Sequence, residues 1–179
     1  MRRKQSLVAY LQRIITLTDS YREVKRKFTG RVQQGNLTRD DDPKTHFCVY
    51  FAAYDLKLRQ VFIGHHKKSG LWLFNGGHMD KGDTPRESVI REMNEEWEMS
   101  LPVPSPSLLT LTKIEKPEAQ ICQWHYDIWY FILVDETTFR PKKELLGTEF
   151  LEIGWKSVTQ ARKLARDPST ITAFRKIVH

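Results

Sequence analysis

A strand, a glycine pair and a helix start follow one another in residues 71–87, and this order constrains the fold more than any other part of the chain. Residues 71–74 (LWLF) predict a short strand that leads directly to Gly76 and Gly77. The sequence TPRE from Thr84 is a capping-box pattern, with proline at the first helical position, where its missing N–H costs nothing. The chain therefore passes from a strand through a glycine-containing segment into a helix.

The helix predicted from Thr84 separates apolar from acidic side chains. Apolar residues recur along it at three- and four-residue steps, which predicts one face toward the core: Val89, Ile90, Met93 and Trp97. Glu92, Glu95 and Glu96 fall on an adjacent stripe. Like charges at this spacing destabilise a helix by roughly 0.2–0.5 kcal/mol per pair, so a bound cation would relieve the repulsion. A solvated acidic face is the alternative interpretation.

The carboxylates of this helix predict a site for a hard metal ion. Carboxylate oxygens suit Mg²⁺ or Mn²⁺ far better than zinc or copper. Such an ion would neutralise phosphate oxygens and lower the pKa of an attacking water. Gly76 and Gly77 allow the backbone to come close to a ligand or a metal. These residues together favour hydrolysis at phosphorus.

Residues 77–99 resemble the signature of the Nudix hydrolases, which runs Gly, five residues, Glu, seven residues, Arg-Glu, an aliphatic residue, one residue, Glu-Glu, one residue, Gly and an aliphatic residue. Gly77 begins the match, and residues 91–96 (REMNEE) fit its central block in full. Two positions depart from the signature, because Asp83 replaces the first glutamate and Glu98 replaces the glycine. A non-glycine residue costs about 1 kcal/mol at a position that needs a left-handed backbone.

The resemblance extends from about residue 45 to residue 165 and is closest to the bacterial MutT-like branch, whose members read LWL..GGH before the helix. It implies an α/β Nudix fold, which is a mixed β-sheet sandwiched between helices, here with an extra N-terminal helix. We therefore expect residues 1–43 to form the N-terminal helix and a linker, and residues 44–179 to form the Nudix hydrolase domain.

The resemblance also implies an activity and the residues that carry it. The expected reaction is hydrolysis of a nucleoside diphosphate linked to another moiety, by water attack on phosphorus, with Mg²⁺ or Mn²⁺ as cofactor. The implied metal ligands are the carbonyl of Gly77 and the side chains of Glu92, Glu95 and Glu96. The implied catalytic residues are Glu95, Glu96, Asp83 and Arg91, with Arg91 as the structural partner of the acid at position 83.

Two questions stay open after the resemblance. Some family members recruit a loop carboxylate to take a proton from water, and Glu144 and Glu149 are candidates for that role. The alternative function is a Nudix-fold module that binds or senses a nucleotide or RNA with little turnover. The intact set of helix glutamates favours the hydrolase, and the departures at positions 83 and 98 leave room for the sensor.

Aromatic and polar side chains beside the predicted strands are candidates for substrate binding. His125 and Asp127 alternate onto one face of a strand predicted within residues 121–134, so that face is a candidate pocket wall. Trp72 and Phe74 precede the glycine pair and could stack on a nucleobase. No spacing among the histidines and the two cysteines predicts a zinc site.

Net charge and apolar runs indicate the partners and the compartment. Lys and Arg number 29 against 22 Asp and Glu, and the resulting charge of +7 favours nucleotide-type substrates. A basic face on the N-terminal helix makes RNA a further candidate partner, and a homo-oligomer is compatible with the sequence. The longest apolar run, residues 128–134, is far below the roughly 18 residues of a membrane span, so we expect no membrane partner and a cytoplasmic location.

The remaining elements follow from periodicity and turn residues. We expect an N-terminal helix from Ser6 with a break near Asp19, a linker over residues 30–43, and an antiparallel hairpin of residues 45–54 and 59–66. Further strands are predicted at residues 108–114, 121–134 and 148–155. A helix capped by Ser157 and a final helix after Pro168 end the chain.

Overall fold

The computed structural model describes residues 2–115 and 121–177, with side chains from residue 7 onward. In this part of the chain the elements are α1 (Arg2–Leu17), α2 (Arg22–Gln34), β1 (Thr45–Asp55), β2 (Gln60–His66), β3 (Trp72–Leu73), β4 (Asn75–His78), α3 (Pro85–Trp97), β5 (Leu108–Lys113), β6 (Trp124–Leu133), α4 (Lys143–Glu149), β7 (Phe150–Ser157), α5 (Val158–Leu164) and α6 (Pro168–Ile177).

β1 lies at the centre of one mixed sheet, whose main path runs in the order β3-β2-β1-β6-β5. β1 pairs parallel with β6 from Thr45 to Tyr54 and antiparallel with β2 at its far end. β4 pairs with the middle of β1, and β7 pairs with β2. The predicted hairpin and the mixed sheet are therefore confirmed, and β4 places the glycine pair directly beside the central strand.

Helices cover both faces of the sheet, because alternate residues of a strand point to opposite faces. Phe47, Val49 and Phe51 of β1 lie in a hydrophobic cluster with residues of α1, α2 and α3. Ala52 of β1 lies in a second cluster with Trp129 of β6 and residues of α5 and α6. The predicted sandwich of a sheet between helices is confirmed. Among the described residues, no helix has the length and apolar character that crossing a bilayer requires.

The N-terminal segment forms two helices, and the break between them lies at the predicted position near Asp19. Leu11 of α1 and Phe28 of α2 are fully buried in the cluster that contains β1. The basic residues of the far side are exposed or half-buried: Arg13, Arg22, Lys25, Arg26 and Lys27. The two helices thus share the core of the sheet, while a domain boundary between residues 43 and 44 stays a prediction.

Three segments differ from the sequence-based expectation. The linker predicted from residue 30 begins later, because α2 continues to Gln34 and ends at Gly35 in the left-handed conformation, with φ 79°. Burial of Phe28 and Val32 outweighs the low helix propensity of Gly30. Residues 75–78 form a strand of their own, whereas the predicted strand ended at residue 74. Residues 143–149 form a helix, which includes residues 148 and 149 of the strand predicted over 148–155.

Trp97 at the end of α3 is the largest fully buried side chain of the first cluster. It is 0% exposed, and its ring lies 4.7 Å from that of Phe51 and 5.0 Å from that of Phe139, both edge to face. We expect Trp97→Ala to lower the free energy of unfolding by about 3–5 kcal/mol. Trp124→Ala is the comparison variant, since Trp124 is 38% exposed and its loss should cost only about 1 kcal/mol. Urea unfolding of both variants checks this, and equal losses would contradict it.

Candidate active site

The capping box at Thr84 sets the start of α3 and therefore the direction of its acidic side chains. The Thr84 hydroxyl accepts a hydrogen bond from the backbone amide of Glu87 at 3.3 Å. The Glu87 carboxylate accepts one from the backbone amide of Thr84 at 2.7 Å. Pro85 occupies the first helical position, as expected. The helix ends at Trp97, so Glu92 and Glu96 lie on its second half, where it runs beside β4.

Two of the three glutamates contact the backbone of β4 directly. A Cβ added at Gly77 would lie 2.0 Å from Glu92 Oε1, so only glycine leaves room for this carboxylate. Glu96 accepts a hydrogen bond from the side-chain amide of Asn75 and another from the backbone amide of Gly76. The structure therefore brings Glu92 and Glu96 together with Gly77, as the sequence predicted. Asn75 was missed, because a single Asn before a glycine pair carries no recognisable signal of its own.

Burial raises the pKa of both Glu92 and Glu96. Glu96 is only 9% exposed, and its burial raises its pKa well above the ordinary value, with the charge of Glu92 adding to the effect. Burial also raises the pKa of Glu92, against the opposing charge of Arg91. A positive ion would reverse both shifts, because an opposite charge favours the ionised form. Glu95 differs from them, since 56% of its side chain is exposed.

Arg91 is the cation that organises the acidic residues. It contacts Asp83 at 3.3 Å, Asp80 at 3.3 Å, Glu92 at 2.8 Å and Glu95 at 3.3 Å, and it donates to the backbone carbonyl of His78 at 2.9 Å. Burial alone would lower the pKa of Arg91, but the surrounding carboxylates, Glu92 first, raise it above its usual value. One guanidinium thus connects the loop, the helix and β4.

The structure accommodates both departures from the family signature. Asp83 is shorter than glutamate, yet its carboxylate still reaches Arg91 Nε at 3.3 Å. Glu98 adopts the left-handed conformation that the family glycine would provide, with φ 53°. Its carboxylate accepts a hydrogen bond from Lys142 Nζ at 2.9 Å. The position does require a left-handed backbone, and Glu98 takes it at the cost of some strain.

Glu144 and Glu149 both lie in α4, although the sequence predicted a loop at Glu144 and the start of a strand at Glu149. Glu144 is in the first turn of α4 and is exposed. Glu149 is the last residue of α4, with its carboxylate 3.7 Å from His66 Nε2, and this contact lowers the pKa of Glu149. The charge of Glu149 contributes to the raised pKa of Glu96, and α4 contacts α3, so Glu149 lies close enough to act electrostatically on Glu96.

Trp72 and Phe74 occupy different environments, although they are two residues apart. Trp72 is half-buried and stacks on His65, with ring centroids 5.7 Å apart, while Lys156 Nζ lies 5.5 Å from the centre of the Trp72 ring. It lines a cleft of about 400 Å³ together with Glu152, Lys156, Gln160, Lys163 and Leu164. Phe74 is only 2% exposed and packs on Trp129 and Phe174, so its ring belongs to the core and does not line this cleft.

His125 and Asp127 share one face of β6, as predicted, but both are buried. Asp127 is 0% exposed and accepts hydrogen bonds from the hydroxyls of Thr110, at 3.1 Å, and Thr112, at 2.5 Å. Burial raises the pKa of Asp127 to about 7. His125 is 8% exposed and packs against His46 and His78, and burial lowers its pKa to about 3. A substrate-binding role for either residue stays a prediction.

Comparison with known proteins places this geometry in a family. The NUDIX domain family matches residues 54–175, more than half of the chain. Dihydroneopterin triphosphate pyrophosphohydrolase from E. coli is similar in structure, with 15% identity, a TM-score of 0.62, and 73% of this chain and 92% of that chain covered. An Ap4A hydrolase from C. elegans is similar at 15% identity and a TM-score of 0.60, with 74% of this chain and 94% of that chain covered. A MutT protein from Bacillus halodurans is similar at 19% identity and a TM-score of 0.58, with 74% of this chain and 82% of that chain covered. No curated protein sequence gives a significant match.

The chain therefore belongs to the Nudix family. It is an enzyme of the Nudix hydrolase class, whose members cleave pyrophosphate bonds in nucleoside diphosphate derivatives. The resemblance to the bacterial MutT-like branch is consistent with these matches. At identities this low, the solved structures support the shared fold and leave the substrate open.

The contact between Gly77 and Glu92 predicts a selective effect of one methyl group. We expect Gly77→Ala to displace the Glu92 carboxylate and to lower hydrolytic turnover by about a hundredfold, the size of effect that an ångström-scale misplacement produces. Gly147→Ala is the matched control, because a Cβ there meets no heavy atom within 4 Å. Steady-state kinetics with circular dichroism as the folding check would test this, and wild-type turnover in Gly77→Ala would contradict it.

Proposed function

We propose that this protein is a Mg²⁺- or Mn²⁺-dependent hydrolase that cleaves a diphosphate bond in a nucleoside diphosphate linked to another moiety. The observation that carries the proposal is the convergence of Glu92 and Glu96 on the backbone of β4 at Gly77, with the pKa of both carboxylates raised by burial. Two desolvated acids beside a glycine backbone are stable as carboxylates only with a cation close by. Arg91 forms an ion pair with Glu92, so it can neutralise only one of these two carboxylates.

The residues present fit a hard divalent ion. Glu92, Glu95 and Glu96 would hold it, together with the carbonyl of Gly77, which lies on the strand that both buried glutamates contact. All of these donors are oxygens, and Mg²⁺ and Mn²⁺ prefer oxygen ligands. The Oδ1 atom of Asn75 is also buried without a hydrogen-bond partner among the described residues, which leaves one further oxygen facing this region. When bound, the ion supplies charge neutralisation at the phosphate oxygens and a lower pKa for water.

Arg91 and Glu149 have distinct tasks in this proposal. Arg91 orients the site, because it holds Asp83 of the loop and the His78 carbonyl of β4 at fixed positions beside α3. Glu149 is the better candidate for the base that takes a proton from the attacking water. Its pKa is lowered by His66, so it is ionised at neutral pH, and its charge acts on Glu96. Glu144 is the weaker candidate, since it is exposed in the first turn of α4.

The cleft beside Trp72 is the proposed substrate-binding surface. Trp72 offers a half-buried indole ring on which a nucleobase could stack. Lys156 and Lys163 line the same cleft and would attract phosphate oxygens. A nucleotide-type small molecule is therefore the substrate class that we propose. We place the protein in a reducing compartment such as the cytoplasm, because its two cysteines are free thiols.

The first test is product release from a panel of nucleoside triphosphates, nucleotide sugars, dinucleotides and capped RNA, with Mg²⁺ or Mn²⁺ and with chelator. We expect turnover of one compound class, abolished by the chelator. Glu95→Gln and Glu96→Gln should each lower that turnover by about a hundredfold or more, because loss of a metal ligand removes several kcal/mol of charge stabilisation. Metal-dependent binding without turnover on any compound would overturn the hydrolase and favour the sensor.

The choice between the two acids of α4 has its own test. We expect Glu149→Gln to lower kcat by about a hundredfold or more, because a positioned base contributes roughly that much, while metal affinity stays near the wild-type value. Glu144→Gln is the control and should leave kcat unchanged. Steady-state kinetics and Mn²⁺ titration of both variants separate the effects. A reversed order of the two variants would assign the base to Glu144.

A further inference from the structure

Three histidines and a cysteine meet on the face of the sheet opposite α3. They are His46 and Cys48 of β1, His78 of β4 and His125 of β6, and one side-chain nitrogen or sulfur from each lies within 4.8 Å of those of the other three. The sequence does not predict this group, because its members come from three strands that are distant in the chain. Pairing of these strands is what brings them together.

The register of the sheet explains the cluster. His46 is the cross-strand partner of His125, and Cys48 is the cross-strand partner of His78. His46 and Cys48 are two residues apart on β1, so they share a face. The three imidazole rings contact one another, with centroids 4.8 Å, 5.2 Å and 5.2 Å apart. Gly77, one residue before His78, turns to the other face, where Glu92 lies.

Three of the four residues of this cluster are buried, His78 is half-buried, and one buried ring nitrogen lacks a partner among the described residues. His46 is 0% exposed, Cys48 3% and His125 8%. His125 Nε2 is buried and has no hydrogen-bond partner among the described residues. His46 Nδ1 lies 2.9 Å from the backbone carbonyl of Asp42, which can only accept, so Nδ1 carries the hydrogen. The other ring nitrogen of His46 therefore presents a lone pair, and a metal-binding histidine is commonly oriented by such a hydrogen bond.

We propose that His46, Cys48, His78 and His125 form a second metal site, with three imidazoles and one thiolate as ligands for a zinc-type ion. This donor set is softer than the carboxylates of α3 and matches Zn²⁺ rather than Mg²⁺. Zinc–ligand bonds of about 2.0–2.3 Å place the atoms of a tetrahedral site about 3.3–3.8 Å apart. Ligand atoms within 4.8 Å of one another reach that arrangement with small side-chain movements.

Two neighbours define the surroundings of the site. Cys122 Sγ lies 3.7 Å from both His46 Nε2 and His78 Nε2, but the set whose atoms all lie close together contains Cys48 and not Cys122. Arg39 is exposed, and its guanidinium lies 3.4 Å from His78 Nδ1. A cation at His78 displaces this contact, since the two positive charges repel each other.

The site would hold β4 from the face that α3 does not cover. His78 is a proposed ligand through its side chain, and its backbone carbonyl accepts the hydrogen bond from Arg91. The adjacent Gly77 supports Glu92. The role we assign is therefore structural: the ion ties β4 to β1 and β6 beneath the proposed hydrolytic site, and four protein ligands close its coordination sphere.

Cobalt binding to the metal-free full-length protein tests the proposal directly. Tetrahedral Co²⁺ bound by a thiolate gives a sulfur-to-cobalt charge-transfer band and intense visible bands, whereas Co²⁺ on carboxylates gives neither. We expect one equivalent of Co²⁺ to produce both features in the wild-type protein, and Zn²⁺ to abolish them by displacement. The double variant Glu92→Gln/Glu96→Gln should retain them, because the α3 carboxylates belong to the other site.

Variants of the two cysteines identify the ligand. Cys48→Ala should lose the charge-transfer band, lower Zn²⁺ affinity by about a hundredfold or more, and lose the rise of Tm that Zn²⁺ gives the wild-type protein. Cys122→Ala is the matched control and should keep all three. Absence of the band in the wild-type protein would overturn the site, whether or not any variant folds. A band that survives in Cys48→Ala and disappears in Cys122→Ala would overturn this ligand set.

Discussion

Antiparallel pairing between β1 and β4 is the constraint on which the rest of the site depends. The pairs Cys48–His78, Val49–Gly77, Tyr50–Gly76 and Phe51–Asn75 fix which side chains of β4 face α3. Asn75 and Gly77 face Glu96 and Glu92, and His78 faces the other side of the sheet. A shift of one residue in this register would exchange the two faces and remove the glycine from beneath Glu92. Four residues of backbone pairing therefore position both groups of potential ligands.

Electrostatics explains why a basic chain concentrates acids at one place. The carboxylates around α3 surround a single guanidinium, that of Arg91, and the whole chain carries a net charge of +7. The positive remainder attracts a polyanion toward the protein, but it cannot neutralise acids that are buried against β4. Burial raises the pKa of Glu92 and Glu96, and repulsion from neighbouring carboxylates adds to both shifts. A divalent cation bound together with an anionic phosphate would balance both charges.

Elements with local signals could be predicted from the sequence, and elements defined by long-range pairing could not. The start of α3 depends on Thr84, Pro85 and Glu87, all within four residues, and the structure has it at the predicted place. The β1–β2 hairpin and the capped helix after Ser157 follow equally local rules. β4 is different, because its residues NGGH have low strand propensity and form a strand only through pairing with β1. The linker was wrongly predicted to begin at Gly30 for a similar reason. Burial of α2 in the core extends this helix to Gln34 despite the low helix propensity of Gly30.

The functional residues also divide into those with a local sequence signal and those brought together by long-range strand pairing. Glu92, Glu95 and Glu96 share one helix, so their spacing alone indicated that they would converge, and the family resemblance supplied Gly77 and Arg91. The group of His46, Cys48, His78 and His125 is assembled from three strands, so no spacing in the chain reveals it. The two faces of β4 nevertheless differ in donor chemistry, with oxygens toward α3 and nitrogen and sulfur on the other side. Because hard and soft donors prefer different ions, one short strand can separate two metals by chemistry rather than by distance.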